Sequence, residues 1–379
     1  MKNLLIIFLF TIFSSSAQGW EQTYNETGYP AIGKSVKQTS DGGFIVCGYD
    51  LQNLMKIDEN GTLVWSQSYN GLSTDLTDVI IASDGGFVAC GGFGQDAFIM
   101  KADSEGNMIW SNNFSSGETY LSAKSIYQTS DNGYIICGVA NSSNSSLSSN
   151  SFLIKTDFNG NLDWSQLYFD GTAESVQQNT DGTYVFSGTT YLEESNKLYL
   201  CKTTQTGDVL WSMGYGENSY SQTGGFFQKN NNGGYILCGN KGISNTTGLY
   251  DGSEVYLINV DEDGNQNWSY TYGSPDQFAD DSAEQVQPTN DGGYIVVGSS
   301  ESSEFGNYDV YLLKTDENGI EQWSQNYGLE EHASGYSVQQ TFDDGYIISG
   351  SINSENENGA YLIKTDDEGN VNSNYTNSS

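Results

Sequence analysis

Carboxylates and aromatics are plentiful in this chain, and bases are scarce. The 379 residues include 48 Asp and Glu against 13 basic residues, every one a lysine, for a net charge of −35. His332, in "GLEEHASG", is the only histidine. That excludes a multi-histidine metal site and leaves one base for a Ser-His-Asp arrangement. Its polar loop context points instead to a surface role. Two carboxyls about 5 Å or 6.5–9.5 Å apart, one with a raised pKa, could hydrolyse a glycosidic bond. Acids are so abundant here that spacing selects no pair. The stretch "GSPDQFADDSAEQ" (273–285) gathers Asp276, Asp280 and Asp281 around Phe278, and its acids at 276–284 could hold Ca²⁺. Otherwise no cofactor is expected.

Other candidates have plainer structural readings. The turns "DENG" (58–61, 316–319), "DSEG" (103–106), "DFNG" (157–160) and "DEDG" (261–264) resemble the start of a calcium loop. They lack the later Glu that such a loop requires, and Asp capping its own turn before a Gly at positive φ explains them. Cys47, Cys90, Cys137 and Cys238 hold one equivalent strand position. Equivalent points on face-packed sheets lie roughly 10 Å apart, beyond the ~7 Å between Cα atoms that a disulfide spans. These thiols and Cys201 read as small core residues. Lysines recur at 56, 101, 155, 202, 314 and 364, with Asn259 as the exception. A ring of cations could bind a ligand, but stems lying over aromatics with ammoniums on nearby carboxylates fit better. With no arginine and an acidic surface, neither nucleic acid nor an anionic membrane is an expected partner.

The elements that position these groups follow from an internal repeat. The seven tryptophans, Trp20, Trp65, Trp110, Trp164, Trp211, Trp268 and Trp323, occupy one repeat position, and each has an aromatic four residues later. Around them run an "SVQQT"-like strand A, a "DGG"-type turn, an apolar strand B such as "GYIVVG", a variable loop, a strand C such as "VYLLKTD", a tight turn, and a strand D such as "EQWSQNY". Predicted bounds include Ser175–Asn179 and Ser337–Thr341 for A, Gly293–Gly298 for B, Val310–Asp316 for C and Glu321–Tyr327 for D. Strand B is apolar on both faces, as in a sheet covered on both sides. Four short antiparallel strands at this period predict an all-β fold, a β-propeller. The turns at Asp41, Asp84, Asp131, Asp181, Asn232, Asp291 and Asp343 count seven blades. The last unit has Ser373 where a tryptophan belongs, and the first supplies only "WEQTY". The N-terminal strand should therefore complete the seventh blade and remove an open edge.

The pattern D-x-x-G-x-x-x-W (Asp316, Gly319, Trp323) resembles the tryptophan-docking repeat of quinoprotein-like propellers. The longer "TSDGGY…LIKTDxxGxxxWSQxYG" is similar to a repeat of secreted bacterial propeller proteins. The resemblance covers nearly all of the chain after its first residues and implies that Trp65 through Trp323 pack on neighbouring blades. Quinoprotein enzymes usually have eight blades and a cofactor pocket with basic residues, and this chain departs on both counts. Sialidase propellers also carry Asp/Gly/Trp turns, but they grip substrate with arginines that are absent here.

Residues 1–17 read as an export signal, with a basic start, an apolar run of about ten residues and a small-residue site ending at Ala17. Residues 18–379 form the expected propeller, with a disordered tail over about 372–379 and no sorting domain after the last blade. The exported chain would reside in the periplasm or outside the cell. The A–B and C–D turns are short and uniform, so one end of the ring is plain. B–C and D–A connections vary and open onto the other end, where binding residues concentrate. They include the Ser/Asn-rich 141–151 and the segments 240–254, 273–285 and 299–309. Tyr191, Tyr250, Phe278 and Phe305 there join Asp276, Asp280, Asp281, Glu304 and His332 as ligand-binding candidates. The expectation is a monomeric, non-enzymatic propeller that binds a protein or glycan. The alternatives are a secreted glycoside hydrolase with two loop carboxylates or a structural surface component.

Overall fold

Each repeat folds into a four-stranded antiparallel sheet, because its apolar positions alternate between turns that dictate reversal. The computed structural model describes residues 19–25, 31–49, 53–69, 74–117, 119–142, 149–190, 196–216, 222–230, 233–244, 250–273, 279–302, 307–328, 331–353 and 358–371. The expected export segment and the tail beyond 371 lie outside them.

Blade 6 shows the logic. Its strands are Asp281–Pro288, Tyr294–Ser302, Asn307–Thr315 and Glu321–Tyr327, paired in chain order. At the A–B turn, Asp291 Oδ1 accepts hydrogen bonds from the Thr289 hydroxyl and the Gly293 N–H. At the C–D turn, Asp316 Oδ1 accepts from the Asn318 and Ile320 N–H groups. Side chains of a strand alternate in direction, so strand B sends Ile295 and Val297 into the core shared with blade 7 and Val296 into the core shared with blade 5. That explains a strand apolar on both faces.

Seven such sheets form a ring of seven blades. The first strand of every blade touches the first strand of the next all the way round, so strand A is innermost and strand D outermost. Trp20–Tyr24 pairs antiparallel with the strand Asn358–Thr365 of the last sheet, with Trp20 opposite Lys364 and Tyr24 opposite Ala360. The N-terminal strand thus supplies strand D of blade 7 and closes the ring.

Each joint is clamped at its rim. The Trp110 ring lies so close to Gly160 of the next blade that a Cβ there would stand 2.5 Å from it, and Gly160 has φ +76°. The same stacking joins Trp20 to Gly61, Trp65 to Gly106, Trp164 to Gly207, Trp211 to Gly264, Trp268 to Gly319 and Trp323 to Gly369. The tyrosine four residues on donates to that glycine's carbonyl, as Tyr69 does to Gly106 at 2.9 Å and Tyr215 to Gly264 at 2.7 Å. Phe114 has no hydroxyl, and Asn112 Nδ2 reaches the Gly160 carbonyl instead, at 3.0 Å. Near the axis, Gln38, Gln128, Gln178 and Gln340 each accept a backbone N–H from the preceding blade's A–B turn.

The structure modifies several sequence expectations. Strand A of blade 4 ends at Gln178, and that of blade 7 starts at His332, well before Ser337. His332 is therefore a strand residue, exposed at the strand's start. The expected B–C loops of blades 3, 5 and 6 are largely prolonged hairpins. Strand B of blade 5 runs to Ser244 and its strand C begins at Tyr250, leaving only 245–249 between them. Polar residues paired across extended strands keep the ladder hydrogen-bonded beyond the core, which a search for apolar runs does not detect.

Candidate functional site

Reversal at every strand end puts the A–B and C–D turns at one end of the ring and the variable connections at the other. The plain end holds the recurrent lysines. Lys56, Lys155, Lys314 and Lys364 place Nζ 2.8–3.1 Å from Asp41, Asp131, Asp291 and Asp343 in their own blade's A–B turn. Lys101 pairs with Asp84, and Lys202 lies 3.8 Å from Asp181. Each is directly opposite a docking tryptophan across strands C and D, as Lys155 is to Trp164. Burial works against the Asp131 charge, but hydrogen bonds from Thr129 and Lys155 outweigh it and hold the pKa at about 2. In blade 5, Asn259 replaces the lysine and donates to the Tyr294 hydroxyl at 2.9 Å. These cations are structural ties. A cavity of about 190 Å³ at this end is lined by Asp41, Lys56, Asp58 and Glu59, and its one ammonium is already tied to Asp41.

At the variable end, Asp280, Asp281 and His332 fall in described strands or bridges, and Tyr250 opens a strand. Tyr191, Asp276, Phe278, Glu304 and Phe305 lie outside the described residues. Asp281, Ser300 and Asp309 are directly opposite one another across the first three strands of blade 6. All three are buried on the side facing blade 5. Only a glycine fits opposite Asp281, since a Cβ on Gly273 would stand 2.1 Å from its Oδ2. Burial raises the Asp309 pKa. Ser253 of blade 5 donates to the Asp281 carbonyl at 3.0 Å, and the Asp280 N–H donates to Glu301 Oε2 at 3.2 Å. Tyr308 meets the His332 ring edge-on, with centroids 5.2 Å apart. Among the described residues, no group of three or more His, Cys, Asp or Glu stands where it could hold a metal ion.

The axis holds residues that the sequence does not mark as axial; of them only Glu284 belongs to a candidate group, as the last acid of the 276–284 cluster. Six of the inner strands have an irregularity of register against strand B at one shared place, such as Gly33/Ser35, Ala123/Ser125 and Ala283/Gln285. The extra residue of a bulge leaves the ladder and turns its side chain out of the sheet plane. Seven residues before each A–B turn Asp or Asn, this position reads Lys34, Thr77, Lys124, Glu174, Gly225, Glu284 and Tyr336. The charges of Lys34, Lys124 and Glu174 all act on Glu284, although their blades are not adjacent to blade 6, so these groups face one another across the axis. Glu284 is open to solvent there but ringed by protein, and this burial raises its pKa against the attraction of Lys34. Burial also lowers the Lys34 pKa, and its ammonium sits 3.5 Å from the Tyr336 ring centroid. The signal was present in the sequence. Among these aligned positions the bulge carries lysine in two blades and glutamate in two others, just before the recurrent Ser of "KSVKQT", "ESVQQN" and "YSVQQT".

No protein-family model and no curated protein matches the chain. Solved structures do. A streptogramin B lyase matches at TM-score 0.60 and 11% identity, over 93% of this chain and 99% of its own. A catalytically inactive virginiamycin B lyase from Staphylococcus aureus, solved with quinupristin, matches at TM-score 0.57 and 12% identity, over 92% of this chain and 99% of its own. YCF48 bound to D1 peptide matches at TM-score 0.52 and 11% identity, over 91% of this chain and 96% of its own. At these identities the likeness shows the propeller fold alone.

Proposed function

We propose that the chain is an exported, monomeric, non-enzymatic binding propeller that recognises a protein or glycan through its variable end. One observation carries this reading. Every joint is clamped by near-identical contacts at the rim and plain end, while length, aromatics and acids vary at the other end. A rigid scaffold with diversified connections is the arrangement in which loops bind. The signal-like residues 1–17 support export, and the Trp–Gly joints support kinship with tryptophan-docking propellers. Solved neighbours hold a peptide in one case and quinupristin in another, so the fold prefers no ligand class. No cofactor is needed for this reading, and calcium calorimetry checks the acid cluster.

The test is a glycan and protein array probed with the exported chain and with a trimmed chain. In the trimmed chain, 143–148, 245–249 and 303–306 are replaced by Asn-Gly turns. Hits that vanish on trimming, with Tm unchanged, support the reading; hits that survive trimming, or none at all, overturn it. The hydrolase alternative has one observation in its favour, the buried Asp309 carboxyl with its raised pKa, in line with Asp281 across Ser300 of the strand between them. Turnover of an array hit that Asp309→Asn abolishes would establish it.

A further inference from the structure

We infer that the axis of the ring binds a small zwitterion, one molecule carrying both a protonated amine and a carboxylate. The charges there are segregated. Lys34 and Lys124 project from blades 1 and 3, and Glu174 and Glu284 from blades 4 and 6, so one arc of the inner ring is cationic and the facing arc anionic. Among the described residues, none of the four makes an ion pair or a side-chain hydrogen bond. Four charges that served only to neutralise one another would close into pairs, as the lysines of the plain end do with their turn aspartates.

Holding a charge among protein walls without an opposite partner costs hydration, and burial works against the charged forms of Glu284 and Lys34, the Tyr336 ring offsetting part of that cost at Lys34. The fold does not require that cost. The same bulge position carries Thr77 in blade 2, Gly225 in blade 5 and Tyr336 in blade 7 with the same blade geometry around it. A lone anion would satisfy one arc and repel the other, and a lone cation the reverse. A zwitterion places its carboxylate on Lys34 and Lys124 and its amine on Glu174 and Glu284, with the Tyr336 ring beside it. Two residues earlier on the inner strands, towards the variable end, stand Ser122, Thr172, Thr223, Ser282 and Ser334, with Ile32 and Asp75 in blades 1 and 2.

This inference does not depend on loop recognition, and its test separates the two. Isothermal calorimetry on the full exported chain at low salt uses glycine, 4-aminobutyrate, 6-aminohexanoate and diglycine as probes, with butylamine and butyrate as single-charge controls. We expect at least one zwitterion to bind tenfold or more tighter than either control. Lys34→Met/Lys124→Met and Glu174→Gln/Glu284→Gln should each weaken it at least tenfold, with the single variants Lys34→Met and Glu284→Gln as substitutes should a double variant fail to fold. The chain with trimmed hairpins should bind as before. The assignment is overturned if no zwitterion outperforms the controls, if the folded variants bind like the parent, or if trimming abolishes binding.

Discussion

Rim and axis are built from the same seven repeats and treat repetition in opposite ways. At the rim, a tryptophan lies on the next blade's turn glycine at all seven joints, and where the companion tyrosine becomes Phe114, Asn112 takes over its hydrogen bond. On the axis, the bulge position takes five residue types in seven blades and sets positive charge against negative. The rim conserves an interaction even when a residue changes. The axis conserves a backbone shape while its chemistry changes. In a repeat protein each blade leans only on its neighbours, so stability is concentrated where the repeats agree, and individuality is affordable where they do not meet.

The largest effect should come from opening the rim at its one non-sequential joint. Deleting residues 20–25 removes the outer strand of blade 7 together with the Trp20 and Tyr24 contacts to Gly61. We expect Tm to fall by more than about 10 °C or cooperative unfolding to be lost, read by circular dichroism; an unchanged melt would break the contrast at its root. Next is a sequential joint. Trp110→Ala should cost about 3 kcal/mol in denaturant unfolding, the usual range for removing a packed aromatic. Gly160→Ala should cost about 1–3 kcal/mol, since the new methyl meets the indole from a left-handed backbone. If Trp110→Ala were nearly silent, the clamp would be decoration.

A smaller effect tests the plain end by pH. Asp41, Asp84, Asp131, Asp181, Asp291 and Asp343 all have pKa values below the ordinary aspartate value. A depressed folded pKa contributes stability above the unfolded value and loses it as pH falls through the folded value. Tm should therefore be flat from neutrality to about pH 5 and decline from about pH 4 towards pH 2, the low edge set by Asp131. These carboxylates are largely exposed, so each contributes modestly. Asp131→Asn should flatten the acid decline slightly. A chain whose Tm is constant down to pH 2 would remove the ties from the account.

The sequence made the rim legible because its residues are large, rare and periodic. Seven tryptophans and seven turn motifs yield blade number and closure without coordinates. The partners were harder to read. Gly160 contributes a carbonyl and a missing side chain, and neither is a letter that announces a contact. The hairpins of blades 3, 5 and 6 looked like loops because their strand extensions are polar. The axial residues escaped because a bulge shifts a side chain out of strand alternation, so period-two reading assigns Lys34 or Glu284 to a blade face. Asp309 ends the segment 299–309, yet its burial depends on packing against blade 5 that local sequence does not encode.

The smallest effect belongs to the axis, and its sign separates the two regions most sharply. Glu284 has a raised pKa because burial outweighs the attraction of Lys34 and Lys124, with Glu174 adding to the rise. Between the unfolded glutamate value and this raised value, the folded chain binds more protons than the unfolded one. Stability must therefore fall as pH rises across that window, opposite to the effect of the turn aspartates. Glu284→Gln removes this slope and should leave stability at pH 7 equal or slightly higher, within about 0.5 kcal/mol. Lys34 has a lowered pKa because burial outweighs the attraction of Glu284. Its protonated form disfavours the fold until pH rises through the folded value, so Lys34→Met should likewise not destabilise near neutrality. Urea unfolding from pH 4 to 8 reads the Glu284 slope and, at pH 7, the stability of both variants. A clear loss of stability at pH 7 in either variant would mean that the axial charges hold the ring together, and the division between a stabilising rim and a recognising axis would fail.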